Sequence, residues 1–109
     1  MADNKTTWVQ AMANCLTAFQ REQAGSPCPV VDYEVIPDAS GGADDLCVWL
    51  VCRTRAEKND FIGTERSRSL SILKKKMLAA GFSESAVASV DFQITSRAEV
   101  EEKGGRFSR

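Results

Sequence analysis

The sequence predicts an α+β fold of two layers, a three-stranded sheet with helices on one face, in the order α-β-β-α-α-β plus a short C-terminal helix. Three observations lead there. Two segments carry apolar stripes at helical spacing: Trp8, Met12, Cys15, Leu16 and Phe19, then Leu70, Leu73, Met77 and Ala80. Two others, 29–36 and 90–95, alternate apolar and polar residues with the period of a strand. Between them Leu46-Cys47-Val48-Trp49-Leu50-Val51-Cys52 is apolar on both faces, as a central strand covered on each side would be. Stripes and sheet face need each other to leave water, which is what a two-layer arrangement provides.

The elements follow in chain order. The first helix is expected over 7–24, capped by Thr6 or Thr7 and closed by Gly25 and Pro27. In the strand 29–36, Val31, Tyr33 and Val35 are expected on one face and Asp32 and Glu34 on the other. Residues 37–45, with Gly41-Gly42, form a turn-rich connection to the central strand. Thr54-Arg55-Ala56-Glu57 fits a capping box, in which the hydroxyl and the carboxylate satisfy free N–H groups at a helix start. A short helix from Arg55 to about Ile62 follows, punctuated by Gly63, and a longer one spans about 66–80. Gly81 followed by Phe82 has the form of a C-terminal cap with its apolar contact. Residues 83–89 receive no assignment. Ser96-Arg97-Ala98-Glu99 fits a second capping box and opens a charged helix to about Lys103. One domain is expected over 1–103, with 104–109 as a flexible tail lacking any periodic pattern.

Composition narrows the functional classes. The 109 residues contain no histidine, which removes His-dependent nucleophilic and acid–base chemistry, and no carboxylate pair stands at a suggestive spacing. No catalytic residue is assigned, and a non-enzymatic protein is expected. The four cysteines, Cys15, Cys28, Cys47 and Cys52, include no C-x-x-C pair, so they are expected as buried thiols, with no metal and no cofactor. The polar opening Met1-Ala2-Asp3-Asn4-Lys5 has no apolar leader core, and no apolar run reaches membrane-spanning length. A cytoplasmic protein with no membrane contact is the expectation. The net charge of −1 hides a strong asymmetry: residues 1–52 carry −5 and residues 53–76 carry +5. Clustering of this kind matters more to an anionic partner than the total.

The basic stretch contains the junction Phe61-Ile62-Gly63-Thr64-Glu65-Arg66-Ser67-Arg68 between the two consecutive helices. With the element order, this junction resembles the type II KH domain, whose paired helices are joined by a GXXG loop. Gly63 matches the first glycine, Arg66 stands at the second, and Glu65 lies inside the motif. The resemblance implies a KH-like domain binding single-stranded RNA or DNA, with phosphates held at the start of the second helix. It places the nucleic-acid-binding residues at Gly63, Thr64, Arg66 and Arg68, with Arg55 and Lys58 as peripheral contacts. Side chains of Arg66 and Arg68 would then replace backbone contacts. Lys74, Lys75 and Lys76 point about 100° apart on a helix and are read as a solvated face. The alternative function is a protein-interaction or regulatory accessory module. It would use the half-polar first strand at the sheet edge or the C-terminal Arg106-Phe107-Ser108-Arg109 as its contact.

Overall fold

The computed structural model describes residues 4–26, 28–37, 46–105 and 107, with side chains from residue 8 onward. Five α-helices and three strands occur among them: α1 (Asn4–Glu22), β1 (Val30–Ile36), β2 (Cys47–Cys52), α2 (Arg55–Asp60), α3 (Arg66–Ala79), α4 (Glu84–Ser89), β3 (Asp91–Ser96) and α5 (Arg97–Glu102). The sheet order is β1-β2-β3, antiparallel between β1 and β2 and parallel between β2 and β3. The predicted α+β layout and the central position of β2 are therefore observed. No described helix is long and apolar enough to cross a membrane.

The core lies between the helices and one face of the sheet. Met12, Leu16 and Phe19 of α1 and Leu73 and Met77 of α3 meet Val48, Leu50 and Cys52 of β2 and Phe92 of β3. Tyr33 joins β1 to α1 through a 2.9 Å hydrogen bond between its hydroxyl and that of Thr17. The opposite face carries the other parity of side chains, in the rows Asp32–Val51–Thr95 and Glu34–Trp49–Gln93 across the three strands.

Several local expectations are corrected. Helix α1 begins at Asn4, upstream of the proposed Thr6 or Thr7 cap. A bulge between Val30 and Asp32 shifts the register of β1, so Val30, not Val31, joins Tyr33 and Val35 on the core side. An extra residue in a strand of period two reverses the parity of everything before it. In α3 the buried stripe is Ser69, Leu73 and Met77; Leu70 is half-buried and Ala80 exposed. Residues 84–89, left unassigned by pattern, form α4, capped where the Ser83 hydroxyl accepts from the Ala86 N–H at 3.1 Å. Pro27 and the connection 38–45, including Gly41-Gly42, lie outside the described residues.

The two helix ends that aim the chain are well defined. After α3, Gly81 adopts φ 103°, its N–H reaches the Leu78 carbonyl, and the Phe82 N–H reaches that of Met77. This is a Schellman cap, and it needs a residue without a Cβ in the left-handed region. Phe82 is thereby turned into the core and packs on Trp8, ring centroids 4.8 Å apart. Gly104 does the same after α5, with φ 71° and matching bonds from Gly104 to Glu101 and from Gly105 to Val100. The returning chain sets Phe107 against Trp49 at 6.0 Å between centroids, with the Lys103 ammonium 5.8 Å from the Trp49 ring centre. At Phe107, then, the C-terminal segment has an aromatic partner on this face of the sheet.

Candidate functional site

The proposed junction is helical throughout. Between α2 and α3 the chain makes a π turn over Phe61–Glu65. The widened turn inserts a residue into the helical ladder without opening a loop. Phe61 is fully buried and anchors the turn, while Ile62, Gly63 and Thr64 face outward. The Thr64 hydroxyl donates to the Asp60 carbonyl at 2.7 Å, closing the turn on itself. A Cβ added at Gly63 would meet nothing within 4 Å, and its backbone is not left-handed. The glycine loop expected at this point is thus replaced by continuous helix, because Phe61 is drawn into the core and holds both flanks in register. A glycine in a helix with open space around it costs stability relative to alanine. Gly63→Ala is therefore expected to stabilise the domain by about 0.5–1 kcal/mol, read as an upward shift of the thermal midpoint. A destabilised Gly63→Ala would show that the turn requires glycine.

The cations of the stretch divide into two sets. Lys58 donates to Glu99 of α5 at 2.8 Å, and Arg55 pairs with Glu102 of the same helix. Arg53 pairs with Glu57 at 2.9 Å, Arg68 with Glu65 at 2.7 Å and Lys76 with Glu22 of α1 at 2.5 Å. Arg66, Lys74 and Lys75 have no carboxylate partner among the described residues. Of the six residues the resemblance pointed to, Arg55, Lys58 and Arg68 are thus held by carboxylates, Gly63 and Thr64 lie in the π turn, and Arg66 alone is an unpaired, exposed cation.

The structure adds a cleft that joins two of the lysines read as a solvated face, Lys74 and Lys75, to neighbouring residues of α3. Ser67, Leu70, Ser71, Lys74, Lys75 and Leu78 line a shallow cleft of about 450 Å³ along the outer side of α3. Lys76 is turned away from it toward α1, so the three consecutive lysines do separate by direction as helical geometry requires. Leu78 is 45% exposed and Ile62, one turn before α3, is 41% exposed. These are the large hydrophobic side chains most open to solvent among the described residues. The signal that could have singled out this face was the spacing of Leu70, Lys74 and Leu78 at i, i+4, i+8, about 100° around the helix from the buried stripe Ser69, Leu73 and Met77.

Capping chemistry fixes the neighbouring helices unequally. Thr54 accepts from the Glu57 N–H at 3.1 Å, but the Glu57 carboxylate turns to Arg53, so only half of the expected box forms. The second box is complete: Ser96 and Glu99 satisfy each other's backbone N–H groups. Glu99 also accepts from Lys58, and chiefly that bond, with those from Ser96, holds its carboxyl below the usual carboxylate range. A carboxylate whose folded pKa is depressed adds stability that is complete above its unfolded pKa and lost as pH falls through the folded value. Glu99→Gln is expected to remove that contribution at neutral pH and to flatten the acid limb of a stability–pH curve. An unchanged acid limb would show that the pair contributes nothing.

All four cysteines are buried thiols. Burial pushes Cys15 and Cys28 up and takes Cys52 to about 11, so these three are protonated and weakly nucleophilic at neutral pH. On the edge strand β1, the Tyr33 N–H donates to the Asp32 carboxylate at 2.8 Å and the Val31 carbonyl accepts from Gln20 at 2.8 Å. Two backbone groups that could pair with an added strand are thereby occupied by side chains.

No family model, curated protein or solved structure matches this chain.

Proposed function

We propose that this chain is a small non-enzymatic binding domain for single-stranded nucleic acid, which holds the phosphate backbone on the outer side of α3. The observation that carries the reading is the cleft on α3 where Lys74 and Lys75, exposed and without a carboxylate partner among the described residues, stand with two hydroxyls, Ser67 and Ser71; Arg66, likewise unpaired among the described residues, directly precedes it in the chain. Arg66 and Lys74 lie about two turns apart, roughly 12 Å along the helix. That length accommodates a short backbone segment. A flexible single strand can follow such a short, curved face, and hydroxyls beside cations are common phosphate partners. The KH-like element order adds support, but the grip is by side chains and not by a glycine loop. Gly63→Ala should accordingly leave binding intact.

A second reading has its own observation. The exposed Leu78 and half-buried Leu70 line the cleft with Lys74 and Lys75, and Ile62 is exposed in the π turn before α3. An acidic amphipathic protein segment would satisfy both. The test is fluorescence anisotropy with labelled mixed-sequence RNA and DNA strands over a range of salt, with an acidic amphipathic peptide measured in parallel. Three phosphate contacts predict a log–log salt slope near −2, from about −0.7 per contact on single strands. Absence of binding to either strand at the lowest salt would remove the nucleic-acid reading. Peptide binding in that case would support an interaction module.

A further inference from the structure

The same stretch of chain carries two more cations, Arg55 and Lys58 on α2, which α5 occupies from a distance. Glu102 pairs with Arg55 across 47 residues of sequence and Glu99 with Lys58 across 41. Both carboxylates come from one six-residue helix, and both cations from another. Local helix chemistry accounts for only part of this. Glu99 is needed by its capping box whether or not Lys58 is present, but the Glu102 side chain makes no described bond within α5. Glu101, between them in charge and position, faces the other way, into a cleft against Asp32, Arg97 and Phe107.

We infer that α5 is an intramolecular anion mask: Glu99 and Glu102 sit where phosphates of a bound strand would otherwise reach Arg55 and Lys58, confining the exposed anion-binding surface to α3. This rests on the nucleic-acid reading of α3 and extends it, since it assigns the α2 cations to the same surface in a masked state. The exchange needs little energy. The Arg55–Glu102 pair is more than half exposed on both sides, and the Lys58–Glu99 pair about a quarter exposed. Exposed pairs of this type hold weakly, so removing the two carboxylates frees both cations at little cost to the fold. Added salt weakens mask and strand together.

The test compares salt slopes for a labelled single strand on five proteins. The wild type should show the α3 slope. Glu99→Gln with Glu102→Gln, which retains a side-chain acceptor for the capping box, should steepen the slope by about 1.4, from two released cations at about 0.7 each. Affinity at low salt should rise roughly twofold to fivefold per released pair. Glu84→Gln with Glu101→Gln makes the same change in net charge away from the α2 cations and should leave the slope unchanged. Adding Arg55→Ala and Lys58→Ala to the unmasked protein should return the slope to the wild-type value. Glu102→Gln alone, outside the capping box, should give about half the effect and guards against misfolding of the double variant. If the wild type binds and the unmasked variant has the same slope, the mask is wrong and the α3 reading stands. If steepening occurs equally in the charge-matched control, it is a net-charge effect and the mask is likewise wrong. If neither the wild type nor the unmasked variant binds at low salt, both readings fail.

Discussion

Phe61→Ala is expected to lower stability by about 3–5 kcal/mol, a large share of the roughly 5–15 kcal/mol available to a domain of this size. Phe61 has no exposed surface and belongs to the main apolar cluster with Phe19, Leu50, Leu73 and Met77. Removing its ring loses transfer free energy and leaves a cavity that the surrounding helices can close only in part. The position adds a second consequence. Phe61 is the first residue of the π turn and its only buried one, so it sets the direction in which α3 leaves the turn. The variant should therefore unfold at a lower denaturant midpoint and also show early loss of hydrogen-exchange protection in α2 and α3. Phe61→Leu, which keeps most of the apolar volume, should be much less damaging. A loss below about 1 kcal/mol, typical of surface substitutions, would mean that the side chain is not a core member and that the junction is open.

The combined substitution of Arg66, Lys74 and Lys75 by alanine is expected to abolish the salt-dependent part of strand binding. If each cation meets one phosphate, the slope of about −2 falls toward zero. With that slope, wild-type affinity should itself drop about 20-fold between 50 and 200 mM salt, and the variant should bind weakly at both. Stability should change by less than about 0.5 kcal/mol, because all three side chains are exposed and unpaired among the described residues. Lys76→Ala is the informative comparison. It removes the same charge from the same helix, but from a lysine held by Glu22 on the α1 side. It should leave the slope nearly unchanged. Equal effects from Lys76→Ala and from the single Lys74 and Lys75 variants would show that overall charge, not the α3 face, governs binding. Retained binding by the triple variant would place the contact elsewhere on the molecule.

Much of the architecture was legible because periodicity reports burial directly. The stripe Met12, Leu16 and Phe19 can turn away from water only by meeting an apolar face, and Val48 with Leu50 supplies one. Short-range chemistry was legible for the same local reason: Ser96 and Glu99 cap one helix through contacts three residues apart, and Gly81 ends another through its own φ. The failures lie where a local pattern had two physical outcomes. Gly63 after two apolar residues suits a loop or a helical turn, and the burial of Phe61 decided for the turn. Thr54-x-x-Glu57 suits a full box, but Arg53 drew the Glu57 carboxylate away. The bulge at the start of β1 leaves no mark on composition, because Val30 and Val31 are chemically the same.

By itself, then, the sequence determined the element order apart from α4, the central place of β2 and the concentration of positive charge between residues 53 and 76. Each depends on residue type and spacing within a few turns of chain. Only the tertiary structure decided which of those charges remain open to a partner. Arg55 and Lys58 are matched by carboxylates more than 40 residues away, whereas Arg66, Lys74 and Lys75 are exposed on α3 with no carboxylate partner among the described residues. Coulomb interaction follows distance in space and not order in the chain, so the pairing exists only once the sheet and helices have brought α5 against α2.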